Sequence, residues 1–326
     1  MNTKNDNKKK MNCIIVTPWQ RAGGPIALHA LCHYLAEQGV RAKVFYTDEW
    51  RYLPEMKVAY WRHWIQFCIR DAKKMLQVTF GNRRKYLDDS KYWGYAYAPV
   101  KGCRRKWLPF VGKNTVVVYP EKMYGNPLKA KHVVRWLLYY DRFPDEHDKA
   151  YGANDVFMCY RFCVNDEKLN PNNYKLETPY FDMDLYKRTN YGKREGDCYI
   201  LRKGKNRDDL PKEINGIVID DLPEPIKVEV FNSSERCISY DTETHYSPIA
   251  ALCGCQSIVV PEPGKTRKDY RTEDDWECGV AIGFDENEIQ FAKDTVGLLP
   301  SRFEACHDIA RKDVSEFINI CNAEFF

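Results

Sequence analysis

The sequence predicts an α/β fold made of two Rossmann-like domains. Three stretches carry that expectation: a buried run, diglycine turn and helix over Asn12–Gly39, a second buried run at Thr115–Tyr119, and a strand–loop–helix–strand unit over Arg236–Glu262. Continuous apolar runs suit strands of a parallel sheet that is covered on both faces, whereas half-exposed strands alternate.

Asn12–Thr17, NCIIVT, is the first such strand. Gly23 and Gly24 allow a tight turn, and Pro25 starts a helix whose apolar face is Ile26, Leu28, Leu31, Cys32 and Leu35. Gly39 ends that helix and Ala42–Tyr46 returns as a strand. The unit lacks G-x-G-x-x-G, so it does not imply NAD. A tight turn without a ligand is the competing reading of Gly23 and Gly24, and His29 reads as a core or surface histidine.

The stretch from 50 to 110 is irregular, except that Tyr60–Ala72 has the spacing of an amphipathic helix with Trp61, Trp64, Ile65 and Cys68 on one side. Thr115–Tyr119, TVVVY, is another buried strand, and Glu121 follows it at the edge where open α/β sheets bind ligands. That makes Glu121 a candidate catalytic base, although glutamates are also common in exposed turns. Gly125–Pro127 reads as a turn and helix start, with Val133, Trp136 and Leu137 as the buried face of the helix. Asp155–Cys159 and Phe162–Val164 are further strand candidates before a polar, turn-rich segment. We place the domain change there, giving domains 1–175 and 176–326, with 50–113 as an insertion in the first.

In the second domain Cys198–Leu201 is a strand that runs into Arg202, Lys203, Gly204 and Lys205. Gly216–Asp220 and Pro225–Asn232 read as a strand and a short helix. Cys237–Tyr240 is β-prone, Ser247 and Pro248 form a helix start, Gly254 is placed to end that helix, and Ser257–Val260 is the next strand. A helix start at the carboxyl edge of a parallel sheet offers unpaired amides to an anion such as phosphate. The bland alternative is an ordinary α/β crossover. Cys278–Gly283 is a last strand, and Glu286–Val296 and Ala305–Cys321 are helices.

Asp241 and the helix–glycine–strand run after it resemble the donor-binding signature of GT-B glycosyltransferases, the retaining families in particular. Aligning Ala250, Cys253, Gly254 and Val259 on that signature puts Asp241 at its first acidic position and Ile249 at its second, where those families have a ribose-binding glutamate. The basic turn Arg202–Lys203 resembles their pyrophosphate clamp, Gly23–Gly24 their glycine loop, and Pro179–Lys187 the opening of their second domain. The resemblance implies two Rossmann-like domains facing a cleft, with the terminal helix returning to the first. It implies a nucleotide-sugar donor held by Gly23, Gly24, Arg202, Lys203, Thr244 and Ser247, with Asp241 and Glu121 catalytic. No metal or other cofactor is expected, since the positive charge comes from side chains and a helix end. Asp182–Asp184 matches D-x-D in form but lies in the domain-change segment. A sugar-nucleotide epimerase of the same fold is the alternative enzyme.

Length and composition agree with two folded domains: 326 residues, 44% hydrophobic and 29% charged. No apolar run reaches the roughly 20 residues of a membrane span. The polar start MNTKNDNKKK does not read as a secretory signal, and the 13 scattered cysteines read as reduced thiols, so a cytoplasmic protein is expected. The net charge of +4 is unevenly placed: residues 51–113 hold 15 Lys or Arg against 4 Asp or Glu, a local +11 that leaves −7 elsewhere. Trp50, Trp61, Trp64, Trp93 and Trp107 lie in or beside this segment. It suggests an anionic partner surface, most simply a membrane carrying a glycan or lipid-linked acceptor, with Trp61 and Trp64 at the interface. Aromatics packed as core are the competing reading. Nucleic-acid binding by the segment would leave the glycine loop and the 236–262 unit without purpose, and no nucleic acid is expected.

Overall fold

The computed structural model describes residues 11–18, 22–80, 100, 102–242, 244–270 and 278–326. Trp93 of the basic segment and Glu243 of the candidate donor loop lie outside them. The chain divides into two compact units. The first holds the described residues up to Tyr180 together with Cys306–Phe326, and the second holds Phe181–Ala305.

Unit 1 is a five-stranded parallel sheet of β1 (Asn12–Thr17), β2 (Arg41–Tyr46), β3 (Thr115–Pro120), β4 (His132–Leu137) and β5 (Val156–Cys159). Their spatial order is β2-β1-β3-β4-β5. Helix α1 (Gly23–Glu37) follows β1, α2 (Lys57–Phe80) follows β2, and the one-turn α3 (His147–Ala150) precedes β5. Unit 2 repeats the plan with β6 (Asp197–Ile200), β7 (Ile217–Val218), β8 (Arg236–Ser239), β9 (Gln256–Val259) and β10 (Val280–Ile282), ordered β10-β9-β8-β6-β7. Its helices are α4 (Glu224–Ser233), α5 (Tyr246–Leu252) and α6 (Glu286–Thr295). The C-terminal α7 spans Leu299–Phe325, and Ala310, Val314, Phe317, Ile320 and Cys321 on it belong to the core of unit 1. Both sheets therefore share one winding order, and the α/β expectation of two Rossmann-like domains holds.

Two local expectations fail. The segment 132–137 is strand β4, not a helix, and all six of its side chains are buried. A run such as HVVRWL has no period to betray which element it forms, because a central parallel strand is covered on both faces. Its arginine is the tell-tale: Arg135, 1% exposed, donates from Nε to Asp155 Oδ2 at 2.7 Å and from its two terminal nitrogens to the carbonyls of Met123 and Gly125. The guanidinium thus stitches β4 to the loop after β3 and to the turn before β5. Phe162–Val164 is a single 3-10 turn rather than a strand.

The helix read at 60–72 is longer, Lys57–Phe80, and it buries a different face. Tyr60, Trp64, Phe67 and Asp71 point inward, while Ile65 is exposed. Trp64 stacks on Phe45 at 5.3 Å and donates from its indole nitrogen to the Tyr46 carbonyl, so it is core rather than an interfacial anchor. His29, 1% exposed between the Pro25 carbonyl and the Tyr46 hydroxyl, is a core histidine. Among the described residues no helix is long and apolar enough to cross a membrane.

The Arg135 arrangement makes a direct prediction. Arg135→Ala leaves the Asp155 carboxylate and two carbonyls without their donor, and removing one partner of a buried pair costs about 3–5 kcal/mol. Urea unfolding followed by tryptophan fluorescence should show that loss, whereas a helical, solvent-facing Arg135 would cost almost nothing.

Candidate functional site

Each sheet winds outward in two directions from one point, and there the loops leaving adjacent strands part to form a crevice at the carboxyl edge. In unit 1 this point lies between β1 and β3, and in unit 2 between β6 and β8. Every residue singled out from the sequence follows one of these four strands.

In unit 2 the crevice is built by close approach. Arg202, Lys203 and Gly204 form a 3-10 turn directly after β6. A Cβ on Gly204 would lie 2.1 Å from the Tyr240 carbonyl oxygen, so only glycine lets this turn pack against the end of β8. Arg202 sits at φ +32°, an unusual conformation for a side-chain-bearing residue. The Asp220 carboxylate holds it there by accepting the Leu201 amide at 3.1 Å and the Arg202 amide at 2.6 Å. Arg207 ties the far side of the turn to the carbonyls of Val260 and Pro261. The turn is therefore fixed by backbone contacts while Arg202 and Lys203 extend into solvent.

Opposite them, Asp241 is 2% exposed, and its Oδ2 lies 3.9 Å from Arg202 Nε. Thr244 and Ser247 are also buried. Ser247 does not cap the helix as its sequence position suggests: α5 begins at Tyr246 with His245 at the cap, and Thr244 Oγ1 accepts the Tyr246 amide at 3.3 Å. Ser247 lies two residues past the cap position, and its Oγ is buried without a hydrogen-bond partner. The left-handed Gly254 ends α5 as expected, at φ +94°.

Sequence reasoning missed the aromatic ring that lies under Arg202. The Arg202 guanidinium lies over the Tyr246 ring at 5.6 Å, and Lys227 Nζ lies over the same ring at 4.4 Å. The Tyr246 hydroxyl donates to Glu224, whose other oxygen accepts the Tyr186 hydroxyl at 2.6 Å. Glu224 is 2% exposed. Both Glu224 and Lys227 sit on α4, which by sequence reads only as a short crossover helix. Their spacing of three was the available signal, since it permits an ion pair on one helix face.

In unit 1 the structure brings Gly24 and Glu121 to the same edge through Leu138. A Cβ on Gly24 would stand 3.5 Å from Leu138 Cδ1, and the Leu138 amide donates to Glu121 Oε2 at 3.1 Å. Gly23 is exposed with nothing close to it. Glu121 is 6% exposed, and burial pushes its carboxyl above the usual range, opposed by amide hydrogen bonds and by the charges of Lys122 and Arg142. Burial likewise pulls the Lys122 amine down, and its Nζ rests 3.9 Å from the centre of the Trp50 ring.

Among the described residues one group has the donor atoms to hold a cation: Asp141, His147 and Asp166, within 4.8 Å of one another. These atoms are already engaged. His147 Nε2 meets Asp141 at 2.8 Å, Tyr151 donates to Asp141 at 2.5 Å, and Asp166 accepts the amides of Lys168 and Leu169. Asp182, of the D-x-D-like segment, caps its own turn by accepting the amides of Asp184 and Leu185.

The fold and its two edge crevices define a protein of two Rossmann-like units with candidate binding chemistry on each. No family profile and no curated protein matches the sequence. Solved structures of GT-B glycosyltransferases do resemble the chain over most of its length. Spinosyn forosaminyltransferase SpnP is 12% identical over 94% of this chain and 95% of its own, with a TM-score of 0.33. Glycosyltransferase VinC, in complex with dTDP, is 10% identical over 96% and 99%, with a TM-score of 0.33. An α-glucosyltransferase in complex with UDP and a 13-mer DNA containing an A:G mismatch is 13% identical over 94% of each chain, with a TM-score of 0.39.

Gly204 gives the test of the unit 2 geometry. Gly204→Ala must push the turn away from β8, and overpacking of this kind costs about 1–3 kcal/mol. A thermal melt should report the loss. An unchanged melting temperature would mean that the turn does not pack against Tyr240.

Proposed function

We propose that the chain is a glycosyltransferase that moves a sugar from a nucleotide-sugar donor to a glycan or glycolipid acceptor. The observation that carries this reading is the pairing of Arg202 with buried Asp241 across the unit 2 crevice. A departing nucleoside diphosphate needs cations that are fixed before the bond breaks, and Arg202 is held by its backbone so that its guanidinium can turn to a phosphate. Lys203 adds a second charge. Asp241 orients the donor sugar or stabilises the oxocarbenium-like transition state. Thr244 and Ser247 follow β8 at the same edge of the sheet, and we assign both to the donor.

Glu121 acts on the acceptor side. Burial raises its proton affinity, which suits a base that must take a proton from a hydroxyl near neutral pH. That role belongs to an inverting reaction. In a retaining one Glu121 positions the acceptor hydroxyl. Gly23 and Gly24 leave room at the same edge for the acceptor. No metal is required in this scheme, and the protein works in the cytoplasm, peripheral to a membrane, in surface polysaccharide synthesis. A sugar-nucleotide epimerase, the second enzyme reading, would share the donor site but take no acceptor. A nucleic-acid-binding role needs stacking platforms, and Trp64 is committed to the core while Trp50 lies under Lys122.

Thermal-shift screening against nucleoside diphosphates tests the donor reading, since a ligand at roughly 100 times its dissociation constant stabilises by about 2.7 kcal/mol. Arg202→Ala should weaken the diphosphate that binds by about tenfold or more, with the fold intact. Failure of every nucleoside diphosphate to stabilise the wild type would remove the proposal. Transfer should continue in EDTA, and loss restored by Mn²⁺ or Mg²⁺ would overturn the metal-free scheme.

Glu121→Gln should lower transfer by about 100-fold or more if Glu121 is the base. It should also raise the melting temperature at pH 7. The folded-state affinity of Glu121 for its proton is above the unfolded value, so the folded state binds more protons and stability falls as pH rises through that range. Glutamine removes that loss. A melting temperature unchanged or lower at pH 7 would contradict the buried, strained carboxylate.

A further inference from the structure

We infer that the outer face of α2 is a docking surface for a bilayer rich in anionic headgroups. The helix is apolar on two sides. Its inner side, Tyr60, Trp64 and Phe67, is buried in unit 1. On the outer side Val58 is 83% exposed, Ile65 51%, Ile69 52% and Leu76 58%. Steps of about 7, 11 and 18 residues along an α-helix return to within about 20° of the starting direction, so these four side chains form one stripe. Exposed single hydrophobics are ordinary on protein surfaces. A straight row of four along five turns is not, because nothing in a solvated helix face favours it.

A groove of about 470 Å³ opens along the first part of the stripe, lined by Lys57, Val58, Trp61, Arg62, Ile65 and Gln66. None of the sequence-predicted site residues lines it. Exposed Lys57, Arg62 and Lys73 border the apolar row. Within Lys57–Phe80 there are five Lys or Arg and one Asp, a balance of +4. That one acid, Asp71, is buried against Arg105. An apolar stripe flanked by cations on a helix of this length is the arrangement of a helix that lies in a membrane interface, with aliphatic side chains among the upper acyl chains and cations on the headgroups.

Charge decides the occupant. A second copy packed on the same stripe would bring the two sets of Lys57, Arg62 and Lys73 together, whereas anionic lipid neutralises them. The anchors are also not those expected from composition, since Trp64 belongs to the core and only half-buried Trp61 borders the groove. The position of α2 gives the surface a use. The loop before it pairs with the loop after β3: the amides of Tyr52 and Tyr124 exchange hydrogen bonds with the carbonyls of Tyr124 and Trp50. Docking through α2 would therefore hold the Glu121 edge of unit 1 close to the lipid headgroups, where a lipid-linked acceptor presents its sugar.

The inference is tested without donor or acceptor, so it stands or falls apart from the transfer reading. Flotation with vesicles of phosphatidylcholine containing phosphatidylglycerol should recover the protein at low salt. Recovery should vanish in high salt and with phosphatidylcholine alone. The pair Ile65→Asn and Ile69→Asn adds no charge and lies on the exposed face, so the protein should keep its melting temperature while its partition falls by about tenfold or more. Arg62→Gln with Lys73→Gln should weaken partition by about fivefold per charge. No recovery with anionic vesicles would overturn the inference. So would recovery that the Ile65 and Ile69 changes leave intact, or a dimer in sedimentation that those changes dissolve while vesicles bind nothing.

Discussion

Parallel strands cannot be joined by hairpins. Each crossover must leave one edge of the sheet and return at the other, and where the winding changes direction two loops diverge. The rest of this structure follows from that constraint, applied twice. In both units the first strand stands next to the third, so the loops that leave them face each other across a gap. A side chain placed just after either strand meets its counterpart without any further design. Arg202 and Asp241 are 39 positions apart in the chain and their charged groups still approach to 3.9 Å. Gly24 and Glu121 converge on Leu138 for the same reason.

This constraint explains what the sequence revealed. Buried parallel strands are written as short apolar runs, and β1, β3, β6, β8 and β9 were legible to within a residue or two. Residues following such runs become candidates by position alone, which is how Glu121, Arg202 and Asp241 could be named. The same signal misled at β4, where a covered strand and a buried helix have indistinguishable patterns. It was silent on Tyr246 and Glu224, because their contact joins α5 to α4 and depends on the packing of two helices on one sheet face. Ser247 shows the limit of end signals: a difference of two residues in where α5 begins converts a cap into a buried hydroxyl without a partner.

Buried charge falls into two kinds here. Arg135 is satisfied by a carboxylate and two carbonyls, and Glu224 by two tyrosine hydroxyls and Lys227 at 3.5 Å. Those groups lock loops and one ring in place. Glu121 differs, since its hydrogen bonds do not offset its desolvation and its carboxyl stays above the ordinary range. A carboxyl whose proton affinity is raised by burial lowers stability as pH rises, and a glutamine in its place would accept the same Leu138 amide. Perturbation of this kind concentrates where protons are moved. Arg135, in the neighbouring strand of the same sheet, has its buried charge offset by a carboxylate and two carbonyls.

The basic segment required the most revision, and the reason is geometric. Composition counts tryptophans and cations but cannot tell which side of a helix they occupy. Once α2 is placed, its aromatic side belongs to the sheet and its aliphatic side is left over. Trp64 stacking on Phe45 fixes the rotation of the helix, and that rotation turns Val58, Ile65, Ile69 and Leu76 away from unit 1 together. A helix buried on one side needs only that side apolar to fold, and the opposite row adds nothing to the core. The cost of exposing four aliphatic side chains to water is recovered only when something covers them, and the cations along the row set the sign of that partner. The same core contacts that hold α2 on the sheet thus decide which surface the protein has left to offer.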